Sequence, residues 1–369
     1  MAMTRFAQAI PEDVLADSSL SSRCVQTDYW RSARFQNDRY QSQDGNVGGY
    51  KEWSHFCAFS DEISIIVNLS LMDHSQYRDG SVQQIPRVVI LVKTSGGYWE
   101  GDIVQLPSSS VEMGPQQTDI RIGESSLRFV DGAYHVTVHC DALAAQLRFC
   151  PLARPAVASS VRLDRNDRMR WLVVPRLAAE GGIFVGNRSY VLKNAPAYHD
   201  RNWGDFCWGG DYSWEWATIL PSSLSVPLSL VYMRIGDGSR NRTYSQGLMV
   251  WEGERSSRVF HGSDIQVKEW GLLQQHCTFR LPSIVNLMVP GKSSGVPGEI
   301  EIETRAWSDH LKVHLSVENY AQIGVPNDGP EGLTLLSEAT AQAEVKGRLR
   351  GQDVQFRGRS LMEFKCGVQ

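Results

Sequence analysis

Several familiar signatures are missing from the 369 residues of this chain. No stretch approaches the roughly 20 consecutive apolar residues of a membrane-spanning helix. The opening MAMTRFAQAIPEDVLADSS has no apolar run of signal-peptide length and carries acids early. The expectation is a soluble cytoplasmic protein, with weak peripheral membrane contact through exposed aromatics left open. Lys and Arg number 37 against 41 Asp and Glu, a net charge of -4. Without a basic excess, nucleic acid is not an expected partner. The seven cysteines (Cys24, Cys57, Cys140, Cys150, Cys207, Cys277 and Cys366) are scattered and never form a CxxC pair. That spacing argues against a disulfide framework and against a structural zinc site. Neither a GxGxxG after a strand nor a GxxxxGK[ST] occurs, so no nucleotide cofactor is expected. His135 with His139, and His310 with His314, lie four apart in extended segments. They share a face but sit about 13 Å apart along it, too far to share a metal.

Long 3.6-residue periodicity is scarce as well. Only residues 10 to 20 and the region near 332 to 340 look helical. What dominates is alternation with period two. In GAYHVTVHC, Tyr134, Val136 and Val138 share one face, and His135, Thr137 and His139 the other. Asp131-Gly132 before it is a hairpin signal after DIRIGESSLRFV. Ile300, Ile302 and Thr304 alternate with Glu299, Glu301 and Glu303, and Leu311 to Val317 with Lys312 to Glu318. GGYWEG from Gly96 reads as another hairpin. Many short alternating strands punctuated by 32 glycines and 15 prolines imply an all-β chain of antiparallel sandwiches or barrels. The length suits two domains. The proline, small residues and charge between about 160 and 195 suggest a boundary there, giving domains 1-175 and 176-369.

The densest chemistry lies in AYHDRNWGDFCWGGDYSWEW, Ala197 to Trp216, which holds four of the 11 tryptophans. On an extended strand Tyr198, Asp200 and Asn202 point one way, and His199, Arg201 and Trp203 the other. Trp214 and Trp216 share a face, leaving Glu215 toward solvent. A carboxylic acid in an apolar site keeps its proton near neutral pH, because desolvation disfavours the charged form. Aromatic rings can then shield a cation, by about 2 kcal/mol each when desolvated. Asp200 is thus the candidate acid, with Tyr198 and His199 as further catalytic candidates. Trp53, His55, Trp203, Trp208, Trp214 and Trp216 are the candidate substrate-binding residues. The competing structural reading makes Asp200 an ion-pair partner of Arg201 and the tryptophans core. Glu363 in the closing strand reads as structural.

Tyr198-His199-Asp200-Arg201-Asn202-Trp203-Gly204 resembles the core motif of the carotenoid 1,2-hydratase (hydroxyneurosporene synthase) family. That family has wider two-domain relatives in fungal Diels–Alderases and kievitone hydratase. Trp171 to Pro175, KEWSHF from Lys51, Asp119 to Pro151 and the final GRSLMEFKC are similar to further elements, so the likeness spans about 50 to 365. The resemblance implies two lipocalin-like (calycin) β-barrels in tandem, no cofactor, and an apolar isoprenoid or polyketide-like ligand in the cleft between them. Three functions follow as expectations: acid-initiated hydration or cyclisation of an alkene, a pericyclase that pre-folds a polyene, or a lipid-binding protein without chemistry.

Overall fold

The structure is a computed structural model that describes residues 25–28, 31–35, 38–40, 49–75, 82–114, 118–162, 168–273, 277–280, 296–328 and 332–368. The expected helix at 10 to 20 lies outside them. In the first half run β1 (Val25–Asp28), β2 (Arg31–Ser32), β3 (Tyr50–Phe59), β4 (Ile63–Ser75), β5 (Val82–Thr94), β6 (Trp99–Gln105), β7 (Val111–Met113), β8 (Asp119–Ile122), β9 (Ser125–Val130), β10 (Ala133–His139), β11 (Leu143–Pro151), β12 (Ala156–Arg162), β13 (Arg168–Val185) and β14 (Arg188–Asp205). The second half adds β15 (Ser213–Pro221), β16 (Leu228–Gly236), β17 (Thr243–Glu252), β18 (Arg255–His261), β19 (Ile265–Leu272), β20 (Cys277–Arg280), β21 (Pro297–Ala306), β22 (Asp309–Pro326), β23 (Leu333–Leu349) and β24 (Gln352–Val368).

The strands form two curled sheets. The first runs β6-β5-β4-β3-β14-β13-β11-β10-β9-β8-β7, and the second β18-β17-β16-β15-β24-β23-β22-β21-β19. Pairing among the described residues is antiparallel except between β20 and β22. The DG hairpin forms as expected, with Asp131 and Gly132 both in the left-handed region that this tight turn requires. The turn at Gly96 and Gly97 joins β5 to β6.

Three apolar cores result. One fills the first curl with Phe56, Leu69, Tyr134, Val136, Phe149 and Leu172. Another fills the second curl with Leu248, Val313, Leu315, Val345 and Phe356. The third lies between the sheets and draws on both: Trp53, Trp171 and Tyr198 from the first, Trp214, Trp216 and Leu361 from the second. Strands bordering this middle core are buried on both faces. Every residue of β3 and of β15 is buried.

One expectation is corrected here. Residues 332–340 are not helical. They lie in β23, paired with both β22 and β24. LTLLSEATA loses its alternation because Ala339 and Ala341 face the second curl while Leu336 and Glu338 face the middle core, and a doubly buried strand mimics an apolar helix. The chain passes from the first sheet to the second between Asp205 and Ser213. β13 and β14 pair within the first sheet through Asp205, and the second sheet begins at Ser213. Among the described residues no helix is long and apolar enough to cross a membrane.

Candidate active site between the sheets

β14 is the centre of the first sheet, flanked by β3 and β13. Its alternation is the expected one. Tyr198 enters the middle core, whereas Trp203 enters the first curl. Asp200 lies between Tyr198 and Asn202 on the middle face and is wholly buried. Tyr198 Oη donates to Asp200 Oδ2 at 2.9 Å, and Asn202 Nδ2 donates to Oδ1 at 3.0 Å. Both donors are two residues away on the same strand, so local geometry alone fixes the carboxyl. The Trp171 indole, opposite Asn202 in register, is turned toward the same carboxyl without closing a full hydrogen bond. Burial pushes the Asp200 pKa up to about 8, against the opposing pull of its donors and with a further rise from Glu363 and Asp38. Burial therefore favours the protonated, neutral form of Asp200.

Aromatic rings surround it. Trp216 stacks on Tyr198 at 5.4 Å, and His55 meets Trp216 edge-on at 5.3 Å. Burial lowers the His55 pKa to about 3, so its imidazole is neutral. Trp53 stacks on Trp208 at 6.2 Å and on Trp214 at 6.4 Å. Trp208 itself is anchored by its backbone, since its N–H donates to Asp328 Oδ2 and its carbonyl accepts from the Asp328 N–H. Lys51 pairs with the same Asp328 at 2.7 Å, tying β3 to the far sheet.

The second sheet brings two more acids. Glu363 sits opposite Trp216 on β15 and opposite Glu338 on β23. Glu363 Oε1 accepts the indole N–H of Trp214 at 2.5 Å and of Trp216 at 3.3 Å. Burial raises both glutamates above the usual carboxylate range, and for Glu338 the neighbouring Glu363 and Asp200 raise it further. Two narrow clefts open beside these groups. One, of about 330 Å³, is lined by Trp171, Asn202, Trp214, Trp216 and Glu363. The other, of about 540 Å³, is lined by Asn68, Arg87, Trp208, Glu338 and Glu363, with Trp53 shared between the two. Asp200 lies one layer behind Asn202 and Trp216, so neither cleft touches it directly.

Of the candidates, Tyr198, Asp200, Trp53, His55, Trp208, Trp214 and Trp216 converge on the middle core. His199 and Trp203 do not. His199 points into the first curl, where Nδ1 meets the His55 carbonyl and Nε2 meets Asp38 Oδ2, each at 2.9 Å. Tyr134 donates to the same Asp38 oxygen at 2.6 Å, and Phe56 stacks on the imidazole at 3.9 Å. Trp203 packs beneath the Arg201 guanidinium at 4.5 Å. Arg201 does not pair with Asp200. It faces away and binds Glu52, its Nε donating to Oε1 at 2.8 Å. Nor is Glu215 solvent-facing, for it is 3% exposed and bound by Arg234 at 2.6 Å and Arg240 at 2.7 Å.

Sequence reasoning missed Glu338 and assigned Glu363 a structural role. The signal was present: Glu338 is the lone charge in LTLLSEATA, and such an acid on a buried strand requires a partner or a function.

The comparisons with known proteins agree with this architecture. The chain has the fold of kievitone hydratase. The structure of that enzyme from Nectria haematococca superposes with a TM-score of 0.55 at 13% identity, covering 90% of this chain and 92% of that one. CghA superposes at 0.56 with 13% identity, covering 92% and 98%, and has also been solved with Sch210972. An AttH-like protein from Nitrosomonas europaea reaches 0.62 at 12% identity, covering 92% and 98%. No family model matches the sequence, and no curated protein does.

Proposed function

We propose that this chain is a cofactor-independent enzyme that protonates an alkene of an apolar natural product, terpenoid or polyene, for hydration or cyclisation. The observation that carries this reading is the neutral, wholly buried Asp200 held by Tyr198 and Asn202 behind an indole-lined cleft. Protonation of an isolated alkene needs an un-ionised acid and a dry surrounding. The Asp200 O–H bond breaks, a C–H bond forms, and the electron pair of the O–H bond stays on the carboxylate. The cation then gains water, which returns a proton to that carboxylate, or gains a second alkene and loses a proton from carbon. Tyr198 and Asn202 stabilise the carboxylate in the interval. Rotation of Asn202 and Trp216, which separate Asp200 from the cleft, admits the alkene. The shared fold with kievitone hydratase supports the hydration branch.

The stacked wall of Trp53, Trp208 and Trp214 supports a second reading, in which the cleft folds a polyene for a pericyclic reaction and catalysis comes from positioning. The fold shared with CghA is compatible with it.

Turnover of acyclic isoprenoid alkenes such as farnesol and geranylgeraniol in D₂O tests the first reading. One carbon-bound deuterium per product is expected, along with a fall of about 10²-fold or more in Asp200→Asn. Product lacking carbon-bound deuterium, with Asp200→Asn still active, overturns proton donation and leaves the pericyclic reading.

A further inference from the structure

Glu338 and Glu363 occupy one rung of the β23–β24 ladder, and both are more than nine-tenths buried. Glu363 lines both clefts, and Glu338 lines the larger. Their environments differ. Glu363 Oε1 holds two indole N–H groups, whereas Glu338 shares a side-chain hydrogen bond with Glu363 itself. The two glutamates line the cleft walled by Trp53 and Trp208, a pair of acids on an otherwise largely apolar wall. A buried acid pair at a cleft needs a partner or a function.

We infer that the Glu338–Glu363 pair is the counter-charge of a subsite for an apolar cation, an alkylammonium or a carbocation of like shape, and that the pair gives up one proton when the cation enters. The inference deepens the proposed function by naming the charge its cleft accommodates. Two carboxyls on one rung do not both ionise, and burial disfavours the charge on either one, so the empty pair holds both protons. A cation reverses the balance: one proton leaves to solvent, and cation plus carboxylate leave the cleft neutral. The two indole N–H groups on Glu363 favour the charge settling there, as charge-assisted hydrogen bonds. Glu338 keeps its proton, and the indole faces add cation–π attraction.

The other ionisable groups around the pair are committed. Asp200 is held by Tyr198 and Asn202, and His55 is neutral. Lys365 donates to the Tyr212 carbonyl and lies 3.6 Å from the Tyr212 ring centre. Arg87 donates to Gln105 and to the Met72 sulfur. Glu215 and Arg234, on the rim of the smaller cleft, bind each other. The proton therefore comes from the glutamate pair.

Calorimetric titration of the full chain at pH 7 tests this, with decyltrimethylammonium below its micellar concentration and with decan-1-ol. Running each in phosphate and in Tris counts the protons released. Expected are about one proton per bound cation, none per alcohol, and a cation affinity at least about tenfold above that of the alcohol. Glu363→Gln and Glu338→Gln should each abolish the release and cut cation affinity about tenfold, leaving decanol within about twofold. Asp200→Asn should retain both release and preference, so the test stands apart from Asp200's role in turnover. A wild-type chain that binds neither probe, binds both equally, or binds the cation without releasing a proton overturns the inference, however the variants fold. Loss of the release in Asp200→Asn alone overturns it too.

Discussion

His55 stands directly opposite Asp200 on the neighbouring strand, and neither of its ring nitrogens has a hydrogen-bond partner. A neutral imidazole and a neutral carboxyl thus share one row of the first sheet. Burial drives both to the uncharged form, from opposite sides of neutrality.

The two groups act on stability with opposite signs. Asp200 titrates near 8 when folded and near 3.9 when unfolded. Its stabilising proton is fully in place below about pH 4 and is lost as pH rises toward 8. His55 titrates near 3 when folded and near 6.5 when unfolded, so its contribution is lost as pH falls from about 6.5 toward 3. The unfolding free energy of Asp200→Asn, from denaturant titration, should therefore decline less than that of the wild type between pH 5 and 8, by an amount on the order of several kcal/mol. Parallel pH profiles would rule out a protonated Asp200. Turnover by the wild type should also fall above about pH 8 as the acid ionises.

His199 binds Asp38 on the far face of the sheet. His199→Ala removes a partner of a fully buried carboxylate that, despite burial, His199 and Arg201 hold below its ordinary pKa. Stability should fall by about 3 kcal/mol, with ligand affinity at the clefts unchanged. Denaturation and ligand titration check this, and a variant of undiminished stability that loses turnover would restore His199 to the chemistry.

Glu215 anchors a four-membered ion network with Arg234, Arg240 and Glu269. Glu215→Ala leaves two guanidinium groups beside a half-filled site and should destabilise the chain by about 3 kcal/mol. Glu269→Ala, at the more exposed end, should cost about 1 kcal/mol or less. Equal losses in the two variants would contradict this gradient in burial.

Gly204 has φ +152°, and a Cβ there would run into the Arg168 carbonyl across the β13–β14 ladder. Gly204→Ala should destabilise by more than about 1 kcal/mol. Gly132→Ala has the strain of φ +75° but meets nothing within 4 Å, so it should cost less. Denaturation of the pair gives the order directly.

Alternation was legible wherever a strand has one wet face. There Tyr134, Val136 and Val138 read as one face, while the pleat alone separates Tyr198 and Asp200 from His199 and Trp203 on a stretch buried on both faces. Adjacency within one motif nevertheless drew His199 and Trp203 into the candidate site, although the pleat sends them into the first curl. Doubly buried strands were harder to read. Residues 332–340 read as helical because alternation is lost where β23 is buried on both faces, and this hides Glu338. The meeting of Asp200 with Glu338 and Glu363 arises from packing one sheet on another, a relation that no local pattern records. Glu215 looked wet because Arg234 and Arg240 reach it from elsewhere in the chain.

The middle core makes the two sheets inseparable in practice. A chain cut between Asp205 and Ser213 would leave Trp53 and Trp171 bare on one fragment and Trp214 and Trp216 bare on the other, two adhesive surfaces that invite precipitation. Shuffling halves between distant homologues would mate mismatched indoles, so the mating surfaces can change only in concert, and a new specificity must be evolved across both lobes at once.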